Sequence, residues 1–504
     1  MTIVTLLTTL ITLLIPTILI PIFLHRINLH FASKRRNCTS PPLRPSRDPI
    51  FGLDLLLSDI RAITLNRRIR EQYASFRKYG STYTFYSFGK RTIATTDARI
   101  VQFVLATEMD KFGAGPPRAA SVSMIGRGVI NSDGAFWKKG REMIMPVFAR
   151  GQIADRDMFG RHVERLVERI EGHGVEVDLK PLFDEMILDA ASEFIFGESL
   201  DSASADRGST EAREFMDAFN YAQQSVGKRI LLGKMSFLLR DQKFWDSCEL
   251  VQKFTKKQID RAVHRETGDI KSSGNSEGKI KYNLVKELSK VIKDEETFSS
   301  ALLNVFFGGR DTPAVALSNV FFCLARHPGV WQSIRGEVAG YQPEDLTFEN
   351  LKNMRYLQHA INEGLRLYPA LPTVSRDCLT ETTIPYGGGP DGSQPVCATP
   401  GDRVLWSVYT MHRNPEVFGD DVDAYRPERW QSIRPGWHYL PFSGGVRHCP
   451  AQQLALFWVS YAVARMAMEF KEIRSVDPVE EYVENLKLNM ESGNGVKVAL
   501  TRDC

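Results

Sequence analysis

The chain opens on a pattern that occurs nowhere else in it. From Ile3 to Leu24 the sequence reads IVTLLTTLITLLIPTILIPIFL and carries no charge. Coiled as a helix it would extend about 33 Å, close to the thickness of a bilayer's hydrocarbon layer. Pro16 and Pro21 are interruptions that a membrane helix tolerates. A basic cluster follows the apolar run: His25, Arg26, Lys34, Arg35 and Arg36. Cleaved signal peptides place their positive charge ahead of the apolar run, so this order predicts a retained single-pass anchor over residues 1–25. Lys and Arg stay on the cytoplasmic side, which puts the rest of the chain there. Pro41, Pro42, Pro45 and Pro49 then mark a basic, proline-rich tether over residues 26–50, stiff because proline fixes φ.

Beyond the tether, residues 51–504 read as one body. Alternation from Ser81 to Thr96, YTFYSFG followed by RTIATT, predicts a hairpin. Most of residues 150–370 has helical periodicity with polar breaks, the longest a surface loop from about Thr267 to Lys279. Short strands are expected near 80–100, 382–386, 403–407 and 485–501. The fold class is therefore mainly α with small β-sheets.

Composition narrows this picture. In 504 residues, 43% are hydrophobic and 29 are phenylalanine, enough for a large core. The formal net charge of +4 is too slight over such a length to suggest a nucleic-acid partner. Seven cysteines, at 38, 248, 323, 378, 397, 449 and 504, form an odd set without a C-x-x-C pair. That argues for a reducing compartment rather than a disulfide scaffold or structural zinc.

One cysteine stands in a distinctive setting. Phe442 to Gln453 reads FSGGVRHCPAQQ and leads into the apolar run LALFWVSYAVARMAMEF. Gly444 and Gly445 allow a tight turn with positive φ. Pro450 suits the first position of the helix that follows. Cys449 would then sit at a helix N-terminus with Arg447 nearby, which favours its thiolate and suits an anionic sulfur bound to iron. An inert buried cysteine is the plain alternative, and other segments decide between them.

Asn362 to Pro369, NEGLRLYP, sets Glu363 and Arg366 on one helical face. Later comes YRPERW, with Arg429. The apolar stretch Phe298 to Leu324 contains GGRDTP. Gly308 and Gly309 would let a flat ligand approach closely, while Pro313 leaves the Gly309 carbonyl without its helical donor and should kink or open the helix beside Asp311 and Thr312. Trp137 and Arg141, in WKKGR, also share a helical face.

These segments together resemble the cytochrome P-450 family. Phe442, Gly445, Arg447 and Cys449 match its F-x-x-G-x-R-x-C-x-G loop, with Ala451 at the last glycine position; Gly308, Gly309, Asp311 and Thr312 match its [A/G]-G-x-[D/E]-T helix; Glu363 and Arg366 match its E-x-x-R element. GGRDT, NEGLRLYP, SVYTMHRNP and YRPERW look closest to fungal microsomal enzymes of the alkane and fatty-acid hydroxylase group, whose relatives also serve secondary metabolism.

The resemblance implies a haem (iron protoporphyrin IX) with Cys449 as its axial thiolate, Phe442 packed near the sulfur, and Trp137, Arg141, Arg376 and Arg447 at the propionates. It implies that Thr312 hydrogen-bonds to the oxygen intermediate, that Asp311 feeds it protons, and that Glu363, Arg366 and Arg429 form a structural triad. The implied reaction is hydroxylation of a hydrophobic small molecule, an alkane or fatty acid or a polyketide or terpenoid intermediate. Electrons would come from an NADPH-cytochrome reductase at the endoplasmic reticulum membrane, because the chain has no nucleotide-binding fingerprint of its own. An oxygen-independent isomerase or dehydratase, or a membrane-anchored binding protein without turnover, are the alternatives.

Overall fold

A computed structural model describes residues 3–115, 120–148, 155–170, 172, 174–202, 210–268 and 284–502, without the side chains of 3–18, 231, 234, 235 and 262–268. The apolar start of the chain lies in one helix, Ile3–Arg35, which ends with Lys34 and Arg35 at its dipole-negative end. Among the described residues no helix is long and apolar enough to cross a membrane.

The C-terminal half of this helix is docked on the body. His25 Nε2 lies 3.0 Å from the buried Asp402 carboxylate, which Arg91 also reaches at 3.2 Å. The Arg26 guanidinium lies over the Tyr86 ring, and Arg35 and Arg36 share Glu381 at 2.6 and 2.7 Å. Leu29 and Ala32 are buried against Cys397. The proline-rich segment that follows is pinned as well. Prolines donate nothing, but Thr39 donates to the Pro395 carbonyl and Arg44 to Thr84, while the Thr84 amide donates to Pro42.

Five strands make the principal sheet, in the order Thr82–Ser87, Lys90–Thr95, Arg403–Ser407, Thr373–Cys378, Phe112–Gly113. The first two form the hairpin expected between Ser81 and Thr96, paired from Thr82 with Thr95 to Ser87 with Lys90. Its two-residue turn has positive φ at both Phe88 and Gly89, matching the twist of the strands it joins. Lys90–Thr95 runs parallel to Arg403–Ser407, and Thr373–Cys378 packs antiparallel beside the latter. Strands also form at Thr382–Gly388, Glu484–Leu486, Met490–Ser492 and Lys497–Arg502. The chain pattern did not reveal Val175–Asp178, Thr373–Cys378, Gln394–Ala398 or Phe470–Ser475. Polar residues interrupt three of them, Gln394–Ala398 contains Pro395, and tertiary pairing rather than alternation fixes all four.

Helices supply the bulk of the core. Leu179–Phe196 is buried on nearly every side and lies against the long Glu295–Leu324 helix, with Phe183 and Phe321 rings 5.0 Å apart. From Pro313 to Leu324 that long helix is wholly buried. Gln452–Glu469 packs on the same core, where Trp458 stacks on Phe159 at 5.0 Å and an interplanar angle of 2°. Of the loop expected from about Thr267 to Lys279, Thr267 and Gly268 instead end the Gln242–Gly268 helix, and the rest lies outside the described residues.

Arg355–Leu367 meets the long helix at Gly364, where an added Cβ would stand 2.9 Å from Val320 Cγ2 and 3.2 Å from its Cα. Because backbone is one of those neighbours, the contact cannot relax by a rotamer change. Gly364→Val is expected to cost about 1–3 kcal/mol of stability, read as a lower denaturant midpoint at unchanged slope.

Candidate active site

The loop from Phe442 to Cys449 is closed by one backbone bond, the Cys449 amide to the Phe442 carbonyl at 2.9 Å. Positive φ falls on Ser443 and Gly445, whereas Gly444 is extended, so only one of the two glycines has the expected conformation. Gly445 has no room for a side chain, since its Cβ would lie 2.2 Å from the Leu105 carbonyl oxygen. Gly444 is required by space alone, because its Cβ would meet the Trp437 ring at 2.7 Å. Phe442 packs on the main core from its half-buried position.

The following helix begins at Gln452, not at Pro450; Pro450 and Ala451 form the turn that leads into it. Cys449 is half-buried. Burial pushes its thiol above the ordinary value, opposed by the Ala451 amide and the Arg141 guanidinium. In the free thiol, desolvation works against the thiolate that the nearby positive groups favour. The cation beside the sulfur is also not Arg447. Arg141 donates to the His448 carbonyl at 2.9 Å, whereas Arg447 turns to Asp133, 2.8 Å away, and covers the Trp137 ring at 4.1 Å. Trp137 and Arg141 do share the Gly134–Ile144 helix, but the Arg141 guanidinium is 6.0 Å from the ring.

Asp133 escaped the sequence reading. It precedes that helix, accepts from the Ala114 amide with both oxygens at 2.9 Å, and holds Arg447. Ala114 directly follows Phe112–Gly113, the strand paired with Thr373–Cys378, which carries the buried Arg376. The order Asp-Gly ahead of WKKGR was the available signal, a residue type common at helix starts.

The long helix stays continuous through Pro313 rather than opening there. Its surroundings do open: Gly308 is exposed, Gly309, Asp311 and Thr312 are half-buried, and a Cβ on Gly309 would meet nothing within 4 Å. Asp311 accepts from Gln223 Nε2 at 2.6 Å and lies 3.2 Å from Arg310 Nε. Gln223, on Thr210–Leu232, had no sequence signature.

Glu363, Arg366 and Arg429 meet at full burial. Arg366 Nε and Nη2 each donate to Glu363 at 2.9 Å, and Arg429 Nε donates to Oε1 at 2.8 Å. The Arg426 amide and Trp430 Nε1 complete the carboxylate's partners at 3.0 and 2.9 Å. Arg366 spends its remaining donors on the carbonyls of His412, Val422 and Ala424. Burial alone would raise the Glu363 pKa, but Arg366, Arg426 and Arg429 together hold it below the usual range.

A mainly helical body that presents one cysteine sulfur from a glycine-shaped loop has the architecture of haem-thiolate oxidoreductases. The chain belongs to one family of these, cytochrome P-450, whose model matches residues 44–493. It is 35% identical to cytochrome P-450 monooxygenase himC of Aspergillus japonicus, over 91% of this chain and 83% of that protein. It is 33% identical to cytochrome P-450 monooxygenase fsdH of Fusarium heterosporum, over 90% and 81% respectively. To cytochrome P-450 52A12 of Debaryomyces hansenii it is 34% identical, over 90% of each chain. The chain is thus a monooxygenase whose cofactor is haem. Its residues fit that group: Gly308 and Gly309 leave space for a flat ring, and the buried Arg447 Nε has no partner among the described residues.

Two outcomes follow. Glu363→Ala would strand two buried guanidinium groups and is expected to cost about 3–5 kcal/mol, measured by equilibrium unfolding. His412 has no exposed surface, and burial beside Arg366 and Arg413 lowers its pKa from 6.5 to about 3. A depressed native pKa gives stability that is complete above the unfolded value and is lost as protons bind the unfolded chain. The denaturant midpoint should therefore fall more steeply between pH 6.5 and pH 3 in the native sequence than in His412→Gln.

Proposed function

We propose that this chain hydroxylates a hydrophobic small molecule with Cys449 as the haem's axial thiolate, using electrons from an NADPH-cytochrome reductase. The observation that carries this reading is the placement of the Cys449 sulfur: half-buried, in a loop whose backbone is closed by Phe442 and braced through His448 by Arg141. Haem, when bound, supplies dioxygen activation and insertion of one oxygen atom into a C–H bond. Ligation to iron reverses the thiol's preference, since a coordinating thiol is deprotonated outright.

In this reading Arg141, Arg376 and Arg447, with Trp137, receive the two propionates; three guanidinium groups answer two partly buried carboxylates. Arg447 exchanges part of its bond to Asp133 for this task, and its unspent Nε is the available donor. Gly445 and Phe442 shape the sulfur side. Opposite, Gly308 and Gly309 leave the space in which substrate lies, and the Thr312 hydroxyl and Asp311 carboxylate conduct protons there, Asp311 being released from Gln223 to do so. Glu363, Arg366 and Arg429 hold the frame. The substrate is an alkane or fatty acid, or a polyketide or terpenoid intermediate, as the resemblance to hydroxylases of such molecules supports.

Residues 1–25 serve as a single-pass anchor in the endoplasmic reticulum membrane, residues 26–50 as the connecting segment, and residues 51–504 as the catalytic domain facing the cytoplasm. The uncharged run to Leu24 and the basic residues behind it support that arrangement.

Cys449→Ser tests the assignment. The purified native protein should show the thiolate form of the reduced carbon monoxide spectrum, and the variant should lose it; an unchanged spectrum in the variant would remove Cys449 as ligand. Product formation from the accumulating precursor should require both NADPH and dioxygen, whereas turnover without them would indicate an isomerase or dehydratase.

A further inference from the structure

His412 is the one fully buried histidine whose two ring nitrogens both meet backbone among the described residues. It follows the short helix Val408–Met411, outside the segments named for the haem site in the chain. The Leu440 amide donates to its Nε2 at 2.9 Å. Nε2 is therefore unprotonated, so the proton sits on Nδ1 and is donated to the Arg366 carbonyl at 3.2 Å. Arg366 returns the contact, its Nη1 donating to the His412 carbonyl at 2.9 Å. The imidazole is thus tied to the buried arginine of the triad on one side and to a single amide on the other.

That amide has a particular place. Leu440 is itself buried, its carbonyl accepts from the Ser443 amide at 3.2 Å, and its side chain lies under Gly444, 3.1 Å from where a Cβ would stand. Two residues on, the Phe442 carbonyl receives the Cys449 amide. Leu440 is therefore the peg on which the left-handed Ser443 and the closed loop hang, and His412 holds the peg. The Tyr439 ring lies 4.9 Å from the imidazole, and Arg366 and Arg413 are the charged groups facing it. With two guanidinium groups so near, a neutral ring with one donor and one acceptor satisfies both backbone groups where a cation would not.

We propose that His412 is a positioning residue for the Cys449 loop: its neutral imidazole, held between the Arg366 carbonyl and the Leu440 amide, sets where the sulfur is presented. The proposal rests on Cys449 being the haem ligand. It differs from a merely structural role for the histidine because the two nitrogens have separable tasks. Loss of the Nδ1 bond weakens the frame, whereas loss of the Nε2 bond frees the loop.

His412→Gln places an oxygen near the Nε2 position and keeps an acceptor for Leu440; His412→Asn places its amide near Nδ1 and keeps the donor to Arg366. Both variants are expected to lose stability. The Gln variant should retain most of the thiolate form of the reduced carbon monoxide spectrum, and the Asn variant should lose it several-fold. In haem-free protein, amide exchange over residues 440–449 should quicken several-fold in the Asn variant and little in the Gln variant. Equal behaviour of the two variants in both readouts would overturn the proposal. Native protein without any thiolate spectrum would instead sink the Cys449 assignment, leaving the exchange comparison to judge His412. Histidine-selective isotope labelling of the native chain needs no variant: it should find this ring neutral with the proton on Nδ1, and a proton on Nε2 at neutral pH would refute the inference.

Discussion

A carboxylate with no access to water, shared by two guanidinium groups, is the constraint on which the rest of the structure depends. Glu363 receives five donors, from Arg366 twice, Arg429, the Arg426 amide and Trp430. Arg366 and Arg429 then reach outward to carbonyls of residues 412, 422, 424 and 421. Burying such charges is costly, and only a complete set of partners offsets it. Once that set exists, the segment from His412 to Trp430, which has little regular structure, has no freedom to lie elsewhere. The irregular stretch that delivers the cysteine loop is thereby fixed by electrostatics where helices and strands do not fix it.

The site is divided between rigid and irregular parts accordingly. The long Glu295–Leu324 helix, packed on Leu179–Phe196, is rigid, and open space lies beside Gly309. The loop before Cys449 is shaped at Gly444 by the Trp437 ring and at Gly445 by the Leu105 carbonyl. Asp133 gathers Arg447 and the Ala114 backbone. Reactive groups on connecting segments over a rigid scaffold are a common division of labour in enzymes.

Much of this was legible in the sequence because the relevant residues act through type and spacing. The spacing of Glu363 from Arg366 is a helical face; the hairpin around Phe88 follows from alternation; the glycines before Cys449 mark a turn. What could not be read depends on partners distant in the chain. Nothing in WKKGR says that Arg447, rather than Arg141, will cover Trp137. Gln223 and Asp133 matter only because folding carries them to Asp311 and Arg447. Local sequence likewise shows the amide and cations beside the Cys449 thiol but not the burial that opposes them. At Pro313, where a kink or an opening was expected, the helix continues, and its residues from there through Leu324 are buried.

The docked start of the chain has a mechanical consequence. His25, Arg26, Leu29, Ala32, Arg35 and Arg36 grip the sheet region through Asp402, Tyr86, Cys397 and Glu381. A helix held at that many points behaves as a spar and not as a leash. The apolar end of that helix is thereby coupled to the body, and the two move together.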